Sequence, residues 1–176
     1  MRLFIALPIA DRLKSQIADL PHRQLKAQWQ DVDDMHITLR FVDDVCEGAL
    51  EQIKDVLAQI RRPRFHIEVR GLGVFADGQN RVLYGDVQSH KKITALTAII
   101  NEKFSNIGFE MPLRPYVPHV TIARQQGDQN LDRFIRSHAN KIQTSWMASA
   151  FYLCESGTAV TGGNLENKSL QRFDLQ

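Results

Sequence analysis

This chain of 176 residues has only two cysteines, Cys46 and Cys154. They lie far apart and in no Cys-x-x-Cys pair, so they offer neither a disulfide framework nor a thiolate cluster. They read as reduced, half-buried thiols, which suits a cytosolic home. No His-Glu-x-x-His or His-x-x-x-His spacing begins a metal site, and no metal and no cofactor are expected. Neither glycine-rich phosphate-loop signature occurs. Gly71-Leu72-Gly73 is too short to be one, so no ATP requirement is expected. No apolar run approaches the length that spans a bilayer, and the first residues lack a basic stretch leading into an apolar one. The chain is therefore expected to act in the cytoplasm, away from membranes, as a monomer. Charge of one sign is also lacking. Lys and Arg number 22 against 20 Asp and Glu, a net of +2. That balance excludes wholesale coating of nucleic acid but leaves room for a local basic patch gripping one end. No linker or low-complexity segment separates the halves, so residues 1–176 read as one domain, or two lobes sharing a core.

What the chain does carry is one short pattern written twice. Met35-His36-Ile37-Thr38-Leu39-Arg40-Phe41 and Pro118-His119-Val120-Thr121-Ile122-Ala123-Arg124 each contain His, apolar, Thr, apolar. Both stretches are apolar and rich in β-branched residues, so each reads as a strand. Alternation puts His36 with Thr38, and His119 with Thr121, on one face, with Ile37, Leu39, Val120 and Ile122 behind them. One histidine in a strand is usually a structural residue. A structural histidine has no reason to bring a threonine at the same offset twice.

The pair suits a definite chemistry. Imidazole is the side chain whose ordinary pKa lies closest to neutral. Two of them can work together, one taking a proton while the other gives one. Two threonine hydroxyls can donate hydrogen bonds to the non-bridging oxygens of a phosphoryl group. Acid, base and phosphate cradle describe a metal-free phosphodiesterase. A shared metal site at His36 and His119, completed by Asp33 or Asp34, is the competing reading. The repeated threonine argues against it, being a poor zinc ligand and a good donor to phosphate.

The duplicated His-x-Thr-x pattern resembles the two-histidine phosphoesterases, and within them the 2′-5′ RNA ligase (RNA 2′,3′-cyclic phosphodiesterase) family. The likeness starts at Arg2-Leu3-Phe4-Ile5-Ala6-Leu7-Pro8, passes through both motifs, and closes near 153–156 and 170–173. Asp43-Asp44 stands where the family usually carries a glycine-acid pair, which puts the local turn in question. The resemblance implies an α+β fold with two pseudo-symmetric lobes, antiparallel sheets lining a central cleft, and helices outside. It implies His36 and His119 as catalytic residues acting on RNA ends or nucleotides that bear a 2′,3′-cyclic phosphate. The expected product is a 2′-phosphate, with ATP-independent 2′-5′ joining as the reverse. His36 is taken as the acid and His119 as the base. Arg124 is expected to join Thr38 and Thr121 at the phosphate, and Phe41 to stack on a base. Each follows its histidine by five, so strict alternation would point both away from the cleft unless the strands bend. Two alternatives remain: an esterase of small nucleotides such as 2′-5′ oligonucleotides or cyclic ADP-ribose phosphate, and a non-catalytic module that binds RNA ends.

Along the chain, residues 2–7, 65–70, 81–87, 146–154 and 168–175 read as further strands. Helices are expected over 11–20, 47–60, 89–107 and 130–138. Ser89 is placed as an N-cap and Gly108 as a helix stop. His22 reads as an exposed loop residue, His66 and His90 as surface residues, and His138 as favourably placed for the helix dipole, near a C-terminus. Gly157, Gly162 and Gly163 are expected in the last loop. Short strand connections leave little room for crossover helices, so the sheets are expected to be antiparallel.

Overall fold

The structure is a computed structural model that describes residues 1–127, 130–157 and 167–176. These residues form, in chain order, β1 (Leu3–Pro8), α1 (Asp11–Ala18), β2 (Gln28–Trp29), β3 (His36–Val42), α2 (Glu47–Ala58), β4 (Phe65–Asp77), β5 (Asn80–Val87), α3 (His90–Asn106), β6 (His119–Gln126), α4 (Leu131–His138), β7 (Gln143–Ala148), β8 (Ala150–Glu155) and β9 (Lys168–Asp174). The class is α+β, as expected. Gly162 and Gly163 lie outside the described residues.

The strands join one sheet in the order β7-β4-β5-β6-β3-β1-β8-β9, with β2 paired to β6. Every pairing is antiparallel. The order reads outward in both directions from the β6–β3 seam. The stretch 146–154, expected as one strand, is two. Ser149 alone separates β7 from β8, yet these strands belong to opposite halves of the sheet. Consecutive Cα atoms span only about 3.8 Å, so the sheet has to curl round to bring its two halves together. The terminus ties the same region: Leu175 donates its N–H to the Ser149 carbonyl and Gln176 to that of Arg62.

One face of the sheet is apolar because alternate strand positions are apolar. Leu3, Ile5, Leu7, Ile37, Leu39, Val120 and Ile122 are all buried there. Helical spacing supplies the matching stripes: Leu13 and Ile17 on α1, Ile53 and Leu57 on α2, and Ile93, Leu96, Ile100 and Phe104 on α3. Each such side chain contributes roughly 1.5–3 kcal/mol on burial. Helix α3 packs on β3, α4 on β4 and α1 on β7. That covering leaves the other face of the sheet for the His-x-Thr side chains.

Of three local details expected from the sequence, one differs. Ser89 precedes α3 but does not cap it; its hydroxyl accepts the Glu68 N–H at 3.0 Å, tying helix to strand. Gly108 does end α3, at φ 95°, a conformation that glycine takes without strain. The turn at Asp43-Asp44 forms without a glycine. Asp44 takes φ 56° itself, which aspartate tolerates, and Asp43 receives the Arg2 Nε at 3.1 Å.

Candidate active site

Strands β3 and β6 meet at the centre of the sheet with Ile37 opposite Val120. These are the residues after each histidine, so the seam is its own two-fold. Antiparallel pairing then sets His36 across from Thr121 and Thr38 across from His119 on the opposite face. The four predicted side chains thus come together, and all four are half-buried.

The two strands also bury alike, position for position, through their first seven residues. Each carries a bulge at the same place. On β3 the register against β1 skips Leu39, and on β6 the register against β5 skips Ile122. An inserted residue reverses the alternation beyond it. Leu39-Arg40 and Ile122-Ala123 are consecutive buried residues, and Phe41 and Arg124 return to the histidine face. This is the bend on which the expected places of Phe41 and Arg124 at the cleft depended. Phe41 is 64 % exposed, so it is not a core residue.

Each imidazole is anchored by the same device. His36 Nδ1 lies 2.7 Å from the Asp34 carbonyl and His119 Nδ1 lies 2.8 Å from the Val117 carbonyl. A carbonyl only accepts, so both Nδ1 atoms carry hydrogen and both Nε2 atoms are left for chemistry. The surroundings are not symmetric. His36 stacks on Phe4 at 4.7 Å and 23°. His119 meets Phe75 and Tyr84 edge-on, at 5.1 and 5.8 Å. Burial pushes the His36 pKa below its ordinary value; the Asp34 carbonyl and carboxylate oppose this, and the charge of His119 adds to it.

A cavity of about 240 Å³ opens at His36 and Thr38 and runs to Phe41, Thr121 and Arg124. Phe4, Gln30, Asp34, Met35, Ser156 and Asn167 complete its lining, and no sequence signal singled out Gln30 or Asn167. His119 does not line it; it stands across the β3–β6 seam. Arg124 reaches Asp77 at 3.2 Å, with both side chains about half exposed, so a stronger anion can draw the guanidinium away. Behind the site, buried Arg40 braces β3. Its Nη1 donates to Asn101 Oδ1 and its Nη2 to the Glu110 carbonyl, both at 2.6 Å, and its guanidinium lies over the Phe104 ring. Tyr116 donates its hydroxyl to the Thr38 carbonyl at 2.9 Å. Arg40 stands inside the first motif and Tyr116 two residues before the second, and neither was given a role.

The other histidines lie elsewhere. His66 and His90 are exposed, as expected. His22 is half-buried against Trp29, at 4.1 Å, rather than free in a loop. His138 is buried, with Nε2 donating to Gln24 Oε1 at 2.9 Å. Burial, then nearby Lys141, lower its pKa, so both act against the charged form that a helix C-terminus favours. Among the described residues no three His, Cys, Asp or Glu side chains gather as a metal site. Among them, too, no helix is long and apolar enough to cross a membrane.

The family model described as the 2′-5′ RNA ligase superfamily matches residues 9–158. Two archaeal proteins named RNA 2′,3′-cyclic phosphodiesterase are similar. That of Methanothermobacter thermautotrophicus is 32 % identical, over 76 % of each chain. That of Aeropyrum pernix is also 32 % identical, over 71 % of this chain and 70 % of its own. Among solved structures, E. coli LigT complexed with 3′-AMP superposes with a TM-score of 0.80 at 21 % identity, covering 99 % of this chain and 97 % of that one. That likeness carries the fold alone. The repeated motif, its seam and the sequence matches agree: the chain belongs to the 2′-5′ RNA ligase superfamily.

Proposed function

We propose that this protein is an RNA 2′,3′-cyclic phosphodiesterase that opens a terminal 2′,3′-cyclic phosphate to a 2′-phosphate. One observation carries the reading: two His-x-Thr strands share a seam, with each Nδ1 held by a carbonyl and each Nε2 left for chemistry. His119 Nε2 takes a proton from water, the water oxygen bonds to phosphorus, the P–O3′ bond breaks, and His36 gives its Nε2 proton to O3′. Thr38 and Thr121 donate to the non-bridging oxygens as these gain charge. Arg124 leaves Asp77 for the phosphate, and Phe41 stacks on the terminal base. The lowered pKa of His36 suits an acid, because a weaker hold on the proton makes a better donor. The anionic phosphate offsets the burial penalty and recharges the ring on binding. With a 5′-hydroxyl in place of water, His119 takes its proton, O5′ bonds to phosphorus, P–O3′ breaks and His36 protonates O3′, forming a 2′-5′ linkage without ATP. The reading takes residues 1–176 as one two-lobed unit, monomeric and cytoplasmic, with the β3–β6 seam at the floor of its cleft.

The test is product analysis on an RNA ending in a 2′,3′-cyclic phosphate, in the presence of a strong chelator. A 2′-phosphate end is expected, formed at an unchanged rate with EDTA. A 3′-phosphate product, or loss of turnover restored by zinc or manganese, contradicts the mechanism.

A further inference from the structure

A second cavity, of about 230 Å³, lies on the far side of His36. It shares Phe4, Asp34, Met35, His36 and Asn167 with the first, so the His36–Phe4 stack stands between the two. Its floor is Ala6 on β1 and its outer wall is Tyr152 and Cys154 on β8, with Ser169 of β9 and Lys14 at the rim. Burial pushes the Cys154 thiol up to about 11, so that wall is neutral.

The two-fold makes this cavity meaningful, because the other half has lost its counterpart. Leu7 pairs with Ile37 as Gly85 pairs with Val120, so Ala6 corresponds to Tyr84. Ala6 pairs with Tyr152, and Tyr84 pairs with Gly73. Beside His119 the Tyr84 ring therefore lies over Gly73, where any Cβ would collide with it. Beside His36 the small residue is Ala6, and among the described residues the space stays open. Space beside a reacting phosphate on one side only gives the site a direction.

The geometry points to this cavity as the site of a second nucleobase, that of the nucleotide preceding the cyclic-phosphate end. The inference rests on the phosphodiesterase reading. The cavity is smaller than the roughly 300 Å³ at which pockets for drug-sized ligands begin, which suits a single planar ring system. Its walls are mostly apolar with an aromatic side chain, Tyr152, and base–aromatic stacking tolerates any sequence. Lys14 and Arg172 stand where the linking phosphate would pass, each already paired with an exposed carboxylate: Lys14 with Asp33 at 3.5 Å and Arg172 with Asp174 at 2.8 Å. The phosphate takes the place of these partners. The Arg172 guanidinium lies over the Tyr152 ring at 5.9 Å. A chain entering from β9 thus meets these two ion pairs, then the cavity, then His36. The enzyme is built for an RNA end rather than a free mononucleotide.

The test compares kcat/KM for a mononucleotide 2′,3′-cyclic phosphate and for a trinucleotide with the same terminal nucleotide and the same cyclic end. The wild-type protein is expected to favour the trinucleotide about ten-fold, the scale of one stacked base. Ser169→Trp, which closes the cavity from an exposed rim position, and Tyr152→Leu, which removes the ring, are each expected to bring the ratio close to one. Equal turnover of the two substrates by the wild type overturns the second site and leaves the phosphodiesterase reading standing. A ten-fold preference that survives both substitutions overturns it too. Turnover of neither substrate by the wild type overturns the phosphodiesterase reading itself.

Discussion

His36 is the residue on which most of the account turns, and its burial has two measurable consequences. The folded pKa lies below the ordinary 6.5, so between those values the unfolded chain binds more protons than the native one. Stability linked to His36 is therefore present above about 6.5 and declines as pH falls toward the folded value. Urea midpoints at about pH 5 and pH 7.5 are expected to differ more for wild type than for His36→Gln. An NMR titration of the same imidazole is expected to move upward when a nucleotide phosphate binds; a downward or absent shift removes the argument for His36 as acid. Among the proposed phosphate contacts, Thr38→Val and Thr121→Val keep shape and remove one donor. Dedicated oxyanion donors are worth about 2.7–4 kcal/mol, and a somewhat smaller loss of kcat is expected from each of these. Phe41→Ala is expected to raise KM by the equivalent of roughly 1–3 kcal/mol with little change in melting temperature, since the ring is largely exposed. A sharp fall in melting temperature at constant KM would instead make Phe41 a packing residue.

Strands β3 and β6 show what was legible from residue pattern and what was not. Alternation was enough to place His36 with Thr38 and His119 with Thr121, because a strand has a fixed period. The bulges at Leu39 and Ile122 were not legible as such. Their trace in the sequence is two adjacent non-polar-face positions, Leu39-Arg40 and Ile122-Ala123, and a buried arginine hides the first. Ser89 misled for a different reason: a hydroxyl before a helix satisfies whichever N–H packing brings near, and here that is Glu68 on another strand. His138 shows that a helix end can be buried, and burial lowers the pKa of the ring there. Arg40 gives a prediction at this scale. Arg40→Met removes the charged donor to the Asn101 side-chain oxygen and the Glu110 carbonyl. A loss of roughly 1.5–3 kcal/mol in urea unfolding is expected, the scale of hydrogen bonds made by a charged group.

Across the whole molecule, the repeat was visible as two motifs but its geometry was not. Nothing in a one-dimensional pattern says that β3 and β6 are neighbours, or that β7 and β8 diverge at Ser149 into opposite halves. Those facts come from long-range pairing, and they turn two separate His-x-Thr strands into one site. The same pairing explains why the halves, alike at the seam, differ one strand out, where Ala6 faces Tyr152 and Tyr84 covers Gly73. The central claim is that His36 and His119 act as a unit on one phosphate. Steady-state turnover of a cyclic-phosphate RNA by His36→Ala, His119→Ala and the double variant tests it most directly. Each single substitution is expected to cost roughly 10²–10⁴-fold. The double is expected to cost far less than the product of the two, because a broken pair has little left to lose. Near-normal turnover in either single variant, or losses that multiply in the double, would contradict the claim.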